Sequence, residues 1–268
     1  VFADSALGVR AVENTSTVYT TSTTFTRIPE RLSTDLTSLN LDEDRLALVM
    51  SFDVDPTGDT SGETVCRALV RNRSRLDYNT VAAWLDGDLP TPVAILAVPG
   101  LDENLRTQDA VGTILKRRRA ERGSLEFESR EWRPRFEGNR VVGLVKGTKN
   151  RAASFIENFM VAANGVVARF LAKEGFPSLA RVVRTPKRWD RIVELAAARG
   201  YRLSGEPDPV ALSGFLAASR ARDPANFGDL SLAVVKLLGA GEYAATEPGS
   251  SGVGHFGLAV REYAHSTA

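Results

Sequence analysis

Apolar residues recur along this chain at two spacings, and the changes between them set the expected elements. Arg45 to Val54 (RLALVMSFDV) and Val65 to Val70 have the dense apolar and β-branched content of strands. Pro56-Thr57-Gly58-Asp59 between them has the composition of a turn, so a hairpin is expected. Tyr78 to Leu85 reads as a short helix. Asp102 to Arg122 reads as a longer one, with Leu105, Val111, Ile114 and Leu115 on one stripe. Ser124 to Ser129 and Arg140 to Lys146 alternate like a second strand pair. Arg151 to Glu174 has the clearest helical period, with Ile156, Met160, Ala163, Val167, Phe170 and Leu171 in register and Gly175 as a stop. A strand at Leu179 to Val183 follows, then helices over Pro186 to Arg199, Pro209 to Arg220 and Leu230 to Leu238. Residues 15–26 are threonine-rich around Tyr19 and Phe25, which fits strand or ordered loop. Helices and hairpins interleave without an internal repeat. This predicts one mixed α/β (α+β) domain over 1–268, with residues 151–174 as a long, largely buried helix crossing a curved sheet.

Composition narrows this little. The chain has 268 residues, 43% hydrophobic and 25% charged, which is ordinary for a soluble globular protein. The N-terminus lacks the basic start and apolar stretch of a secretory signal, and no run approaches the roughly 18 apolar residues of a membrane span. A single cysteine, Cys66, excludes an internal disulfide and a cysteine-built zinc site. A reducing cytoplasm and a protein away from membranes are therefore expected. The net charge of +1 permits RNA binding through a local channel without predicting it. The run Lys116-Arg117-Arg118-Arg119 reads as a solvated face at a helix C-terminus.

Several motifs carry no chemistry. Gly249 to Gly254 (GSSGVG) lacks the Gly-Lys-Ser/Thr ending of a phosphate loop and reads as a plain loop. His255 and His265 have no third histidine or cysteine to complete a zinc site and are expected to be structural, hydrogen-bonded residues. The chain has no Gly-x-Ser-x-Gly nucleophile pattern. From residues alone the class is a cytoplasmic α/β domain.

Five blocks, in order, go further. Thr17-Val18-Tyr19 with Ile28-Pro29-Glu30-Arg31-Leu32-Ser33 comes first, then Leu76-Asp77-Tyr78-Asn79-Thr80-Val81. Gly123-Ser124-Leu125-Glu126-Phe127 and Ile156-Glu157-Asn158-Phe159-Met160-Val161-Ala162-Ala163-Asn164 follow. The last is His255-Phe256-Gly257-Leu258 with Tyr263-Ala264-His265-Ser266-Thr267. Together they resemble the signature of the ribonuclease II (RNB) family of exoribonucleases. Three positions depart from it: Asn158 stands for a second glutamate, Arg184 for a histidine and Thr37 for a cysteine.

The resemblance implies a magnesium-dependent 3′-to-5′ exoribonuclease that hydrolyses single-stranded RNA to nucleoside 5′-monophosphates by a two-metal mechanism. A monomer with curved sheets around a long central helix is expected. It implies that Tyr78 and Phe127 stack on bases near the 3′ end and that Tyr19 sets the terminal nucleotide, each base being worth roughly 1–3 kcal/mol. Glu157 is the catalytic candidate, placed to accept a hydrogen bond from the terminal ribose hydroxyl that marks RNA. The functional carboxylate position is either Glu157 or the one that Asn158 fills. The family's metal-binding aspartates are expected upstream of Val1 and its arginine motif downstream of Ala268, so the chain reads as the central portion of something longer, with no metal ligand inside it. The alternative is a catalytically inactive RNB-fold protein that binds RNA or serves as a scaffold.

Overall fold

A computed structural model describes all residues except 1, 3, 21–22, 129–130, 139, 148–149, 249–253, 261–262 and 265–268. In chain order the elements are α1 (Ala6–Glu13), β1 (Val18–Tyr19), β2 (Thr24–Phe25), a π-helical turn (Arg31–Leu36), β3 (Asp44–Val54), β4 (Thr60–Arg71), α2 (Tyr78–Asp86), α3 (Val93–Leu96) and α4 (Leu101–Glu121). Next come β5 (Glu131–Glu137), β6 (Arg140–Gly147), α5 (Arg151–Lys173), β7 (Ser178–Val182), α6 (Trp189–Ala197), α7 (Pro209–Arg222), α8 (Phe227–Leu238), β8 (Glu242–Thr246) and a 3-10 turn (Phe256–Leu258). The mixture of helix and strand is as expected. Among the described residues the strands pair two by two, as β1-β2, β3-β4, β5-β6 and β7-β8.

Local chemistry explains several helix ends. Asp77 caps α2 by accepting the Asn79 and Thr80 N–H groups, and left-handed Gly87 ends it. Asn150 caps α5 through the Ala153 N–H. Asp208 caps α7, with Pro209 at the first helical position. Of the expected strand at 124–129, the described residues 124–128 form no strand. That stretch is an extended connection, and β6 pairs instead with β5, from Glu131 opposite Gly147 to Glu137 opposite Arg140. Pro134 masked this strand in the sequence, since proline cannot donate to a ladder; a two-stranded ribbon has free edges where it is tolerated. Phe2 is exposed and precedes a turn into α1.

The chain divides into two compact units. Val1–Val49, Cys66–Asp102 and Glu131–Thr148 form the first; Met50–Val65, Glu103–Arg130 and Lys149–Ala268 form the second. In the first unit, α2 buries Val81, Ala82, Trp84 and Leu85, and Trp84 Nε1 donates to Thr91 Oγ1 at 3.1 Å. Arg45 donates to Asp35 at 2.9 Å, tying the start of β3 to the π-helical turn. Cys66 is free and exposed.

The second unit has a hydrophobic core among its C-terminal helices. Helices α6, α7 and α8 close around Trp189, Ile192, Leu212, Phe215, Phe227 and Val234. Elsewhere α4 and α5 approach closely at Gly112, where a Cβ would stand 2.5 Å from Phe155 Cβ. Arg151 locks this pair with a two-pronged contact to Asp109, which is 8% exposed: Nε to Oδ1 at 2.9 Å and Nη2 to Oδ2 at 2.5 Å.

The buried face of α5 is rotated from the expected stripe. Ala152, Phe155, Asn158, Val161, Asn164, Val166 and Ala168 are buried, whereas Met160 is 44% exposed. By length and composition alone α5 could cross a membrane. Two of its buried positions are asparagines, however, and it packs on α4 and β7, which is the setting of a core helix.

Candidate functional site

Three of the five blocks converge within the second unit. Helix α4 ends in a turn at Gly123, left-handed at φ +92°, with the Gly123 N–H donating to Ala120 O and the Ser124 N–H to Arg119 O. The chain then runs extended through 124–128. Leu125 N–H donates to Gly257 O at 2.9 Å, which joins the Gly123–Phe127 block to the His255–Leu258 block. Ser213 Oγ donates to Ser124 O, and Glu128 N–H to Ser231 Oγ. Leu125 and Phe127 alternate as in a strand, but both turn into the α6–α8 core, Leu125 fully and Phe127 partly buried. The Arg181 N–H donates to Tyr263 O, and the His255 and Tyr263 rings meet edge to face at 5.8 Å.

Arg119 stands among these blocks, and the basic run is only in part the solvated face its composition suggests: Lys116 and Arg117 are exposed, Arg118 and Arg119 half-buried. Lys116 pairs with Glu126 at 2.7 Å, Arg117 donates to Pro56 O, and Arg118 grips Asp59 at 2.7 Å on the turn between β3 and β4. Arg122 also reaches Asp59, and the bond from Arg118 with these two charges holds its carboxyl below the usual range. Arg119 points inward, and its Nη2 donates to Asn158 Oδ1 on α5. Burial pushes the Arg119 pKa down, while Glu157, Glu126 and Tyr263 act in the opposite sense. Sequence reasoning missed Arg119, although the signal was present. Leu105, Asp109, Gly112 and Leu115 are the buried positions of α4, and Arg119 is the next step of that stripe.

The expected site residues divide between the units. Tyr19 and Tyr78 lie in the first, 80% and 53% exposed. Phe127 and Glu157 lie in the second, both half-buried. Tyr78 opens α2 directly after its capping Asp77, and Tyr19 lies in the two-residue strand β1 opposite Thr24. Arg184, standing where the resemblance expects histidine, pairs with Glu242. The loop 249–253 and His265 lie outside the described residues.

His255 is structural, as expected. Its Nδ1 accepts the Leu258 N–H at 3.1 Å, and burial followed by the charge of Arg181 holds its pKa down at about 4. The unfolded chain takes up this proton near pH 6.5, the folded chain only near 4. Stability is therefore complete above pH 6.5 and falls as pH drops through that window. After allowance for screening at a partly exposed ring, the loss is about 1–2 kcal/mol. Thermal unfolding at pH 7 and pH 5 measures it. A His255→Asn variant, which cannot be protonated, is expected to lose most of this part of the pH dependence.

A family model described as RNB domain matches residues 1–268. Ribonuclease R of Aquifex aeolicus (strain VF5) is 30% identical over 246 residues, 90% of this chain and 34% of that protein. The chain spans about a third of the length of the ribonuclease R relatives it matches. Among solved structures, Mycoplasma genitalium RNase R in complex with double-stranded RNA superposes with a TM-score of 0.86 at 20% identity, covering 99% of this chain and 46% of that one. Yeast Ssd1, a pseudonuclease, superposes with a TM-score of 0.71 at 16% identity, covering 100% of this chain and 32% of that one. The five blocks in order and the match over the full length agree: the chain belongs to the RNB domain family.

Proposed function

We propose that this chain is the central part of the RNB catalytic domain of a 3′-to-5′ exoribonuclease that hydrolyses single-stranded RNA to nucleoside 5′-monophosphates. The observation that carries the reading is the RNB match from residue 1 to residue 268, with ribonuclease R relatives at 30% identity and above. In this proposal Tyr78 and Phe127 each stack on a base near the 3′ end, a contact that holds any sequence. Tyr19 meets the terminal nucleotide. Glu157 accepts a hydrogen bond from its ribose 2′-OH.

Among the described residues no group of three or more histidine, cysteine, aspartate or glutamate side chains is arranged to hold a metal ion. These residues do not fit the divalent metal that the family implies. Magnesium, in this proposal, is held by carboxylates outside the described residues. The enzyme is taken to be a cytoplasmic monomer unattached to membranes.

The complete protein, given Mg2+ and a 5′-labelled single-stranded oligoribonucleotide, is expected to shorten the strand stepwise from its 3′ end and to stop when the metal is chelated. Binding of oligo(A) with no shortening would identify an RNA-binding pseudonuclease. Absence of both would leave a scaffold role.

A further inference from the structure

The ribbon of β5 and β6 has an apolar face that stands open to solvent. Trp132, Pro134 and Phe136 alternate onto one face of β5, and the register sets Leu144 opposite Pro134 and Val141 opposite Phe136. Trp132 is 58% and Leu144 64% exposed, and Phe136 and Val141 are exposed beside them. The other face carries Arg135, Glu137 and Arg140, with Val145 among them. Such alternation is the mark of a strand with one face buried and one in water. Yet within the first unit no other described element packs broadly on either strand. A two-stranded ribbon by itself is marginally stable at best in water. Single exposed apolar residues are ordinary, whereas a contiguous cluster holding a tryptophan has the composition of an interface centre.

We propose that this face seats a flanking part of the same polypeptide, outside residues 1–268, which docks on Trp132, Phe136 and Leu144 through an apolar surface of its own. The proposal rests on the reading of the chain as the central part of a longer protein. Three arguments select this occupant. The matched region is 34%, 31% and 32% of three ribonuclease R relatives, so most of each is further polypeptide able to cover a face. The chemistry of the face disfavours RNA, which calls for cations interleaved with the rings. Arg135 and Arg140 are in register with the opposite face, and the charged residue in register with the apolar one is Lys146, at its end opposite Trp132. The size of the face disfavours a separate molecule. Stable interfaces between free partners use about 20–30 residues a side. A tethered segment docks at an effective concentration on the order of millimolar, so a few apolar side chains suffice to hold it.

The test uses the complete protein with Phe136 replaced by the photoreactive p-benzoylphenylalanine. Irradiation is expected to join position 136 to a peptide outside residues 1–268 of the same molecule, identified by mass spectrometry in the monomer band of a denaturing gel. Trp132→Glu is expected to abolish that crosslink. It should also speed proteolytic cutting between the docked part and residues 1–268 by about 30-fold, the loss of one interface anchor, since cutting follows the undocked population. Arg135→Glu, on the opposite face, should change neither. If Trp132→Glu unfolds the protein, the crosslink alone decides. A crosslink between two copies, a crosslink to an added single-stranded oligoribonucleotide, one confined to residues 1–268, or none at all overturns the proposal. Equal cutting rates in the unmutated protein and a folded Trp132→Glu overturn it too. Shortening of RNA by the same preparation reads the proposed function separately. A crosslink outside residues 1–268 in a protein that neither binds nor shortens RNA sustains the docking and removes the exoribonuclease reading; the opposite pair of results does the reverse.

Discussion

Gly123→Ala is expected to lower the stability of the second unit by about 2–5 kcal/mol, a large part of the 5–15 kcal/mol that usually holds a domain together. Two costs add at this position. The backbone is left-handed, at φ +92°, where a Cβ costs roughly 1–2 kcal/mol. The new Cβ would also stand 2.6 Å from Val210 N and 2.7 Å from Pro209 C, main-chain atoms at the start of α7 that no rotamer change can move. Overpacking of this kind costs about 1–3 kcal/mol. Two other glycines separate the two costs. Gly87 is left-handed at φ +88° with nothing within 4 Å of its missing Cβ, so Gly87→Ala should show the conformational cost alone. Gly112 lies in the regular helix α4 but would place a Cβ 2.5 Å from Phe155 Cβ. Gly112→Ala should show the steric cost alone, offset by about 1 kcal/mol of helix propensity. Denaturant unfolding of the three variants measures this. A Gly123→Ala loss no larger than that of Gly87→Ala would mean that α7 yields and the close approach is unimportant.

The same positions show what the sequence could disclose. Helix α5 was legible to within a residue because its signals are local: an asparagine cap at 150, a long apolar period and Gly175 beyond its end. Its orientation was not, because Asn158 and Asn164 are buried and look like surface residues in any apolar count. Asn158 is buried because Arg119, 39 positions away, satisfies it, and no local pattern encodes that pairing. Arg118 and Arg119 departed from the surface reading of the basic run for the same reason. The partners of the run are Asp59, Pro56, Glu126 and Asn158, brought to it by the fold. The described stretch 124–128 failed differently. Alternation predicts a strand only if a second strand is beside it, and here helices receive Leu125 and Phe127. The family blocks were legible because each is a short, ordered string. What those strings do together became visible only when the Gly123–Phe127, Ile156–Asn164 and His255–Leu258 blocks met in one unit.

Tyr78→Ala in the complete protein is expected to weaken binding of a single-stranded oligoribonucleotide by about 1–3 kcal/mol, the worth of one stacked base, which is roughly 5- to 150-fold in Kd. Its ring is 53% exposed at the first residue of α2, and the cap that starts the helix is made by Asp77. The melting temperature should therefore barely move. Phe127→Ala is expected to cost a similar amount of binding and stability as well, because part of its ring packs on the α6–α8 core. Phe127→Leu separates the two effects: it restores most of the apolar packing but offers no flat face for a base, so stability should recover and binding should not. Tyr19→Ala differs again. At 80% exposure in a two-residue strand it supports little of the fold, so its loss should be silent in unfolding. If it meets the terminal nucleotide, its removal lengthens the final undegraded product without stopping digestion. A denaturing-gel time course, titrations and thermal unfolding on the same variants read all three quantities. An unchanged end product with Tyr19→Ala removes its assigned role. Normal RNA binding by both Tyr78→Ala and Phe127→Leu removes stacking as the means by which the strand is held. Arginine contacts to phosphate would then carry the affinity, and Kd would rise with salt as steeply in those variants as in the unmutated protein.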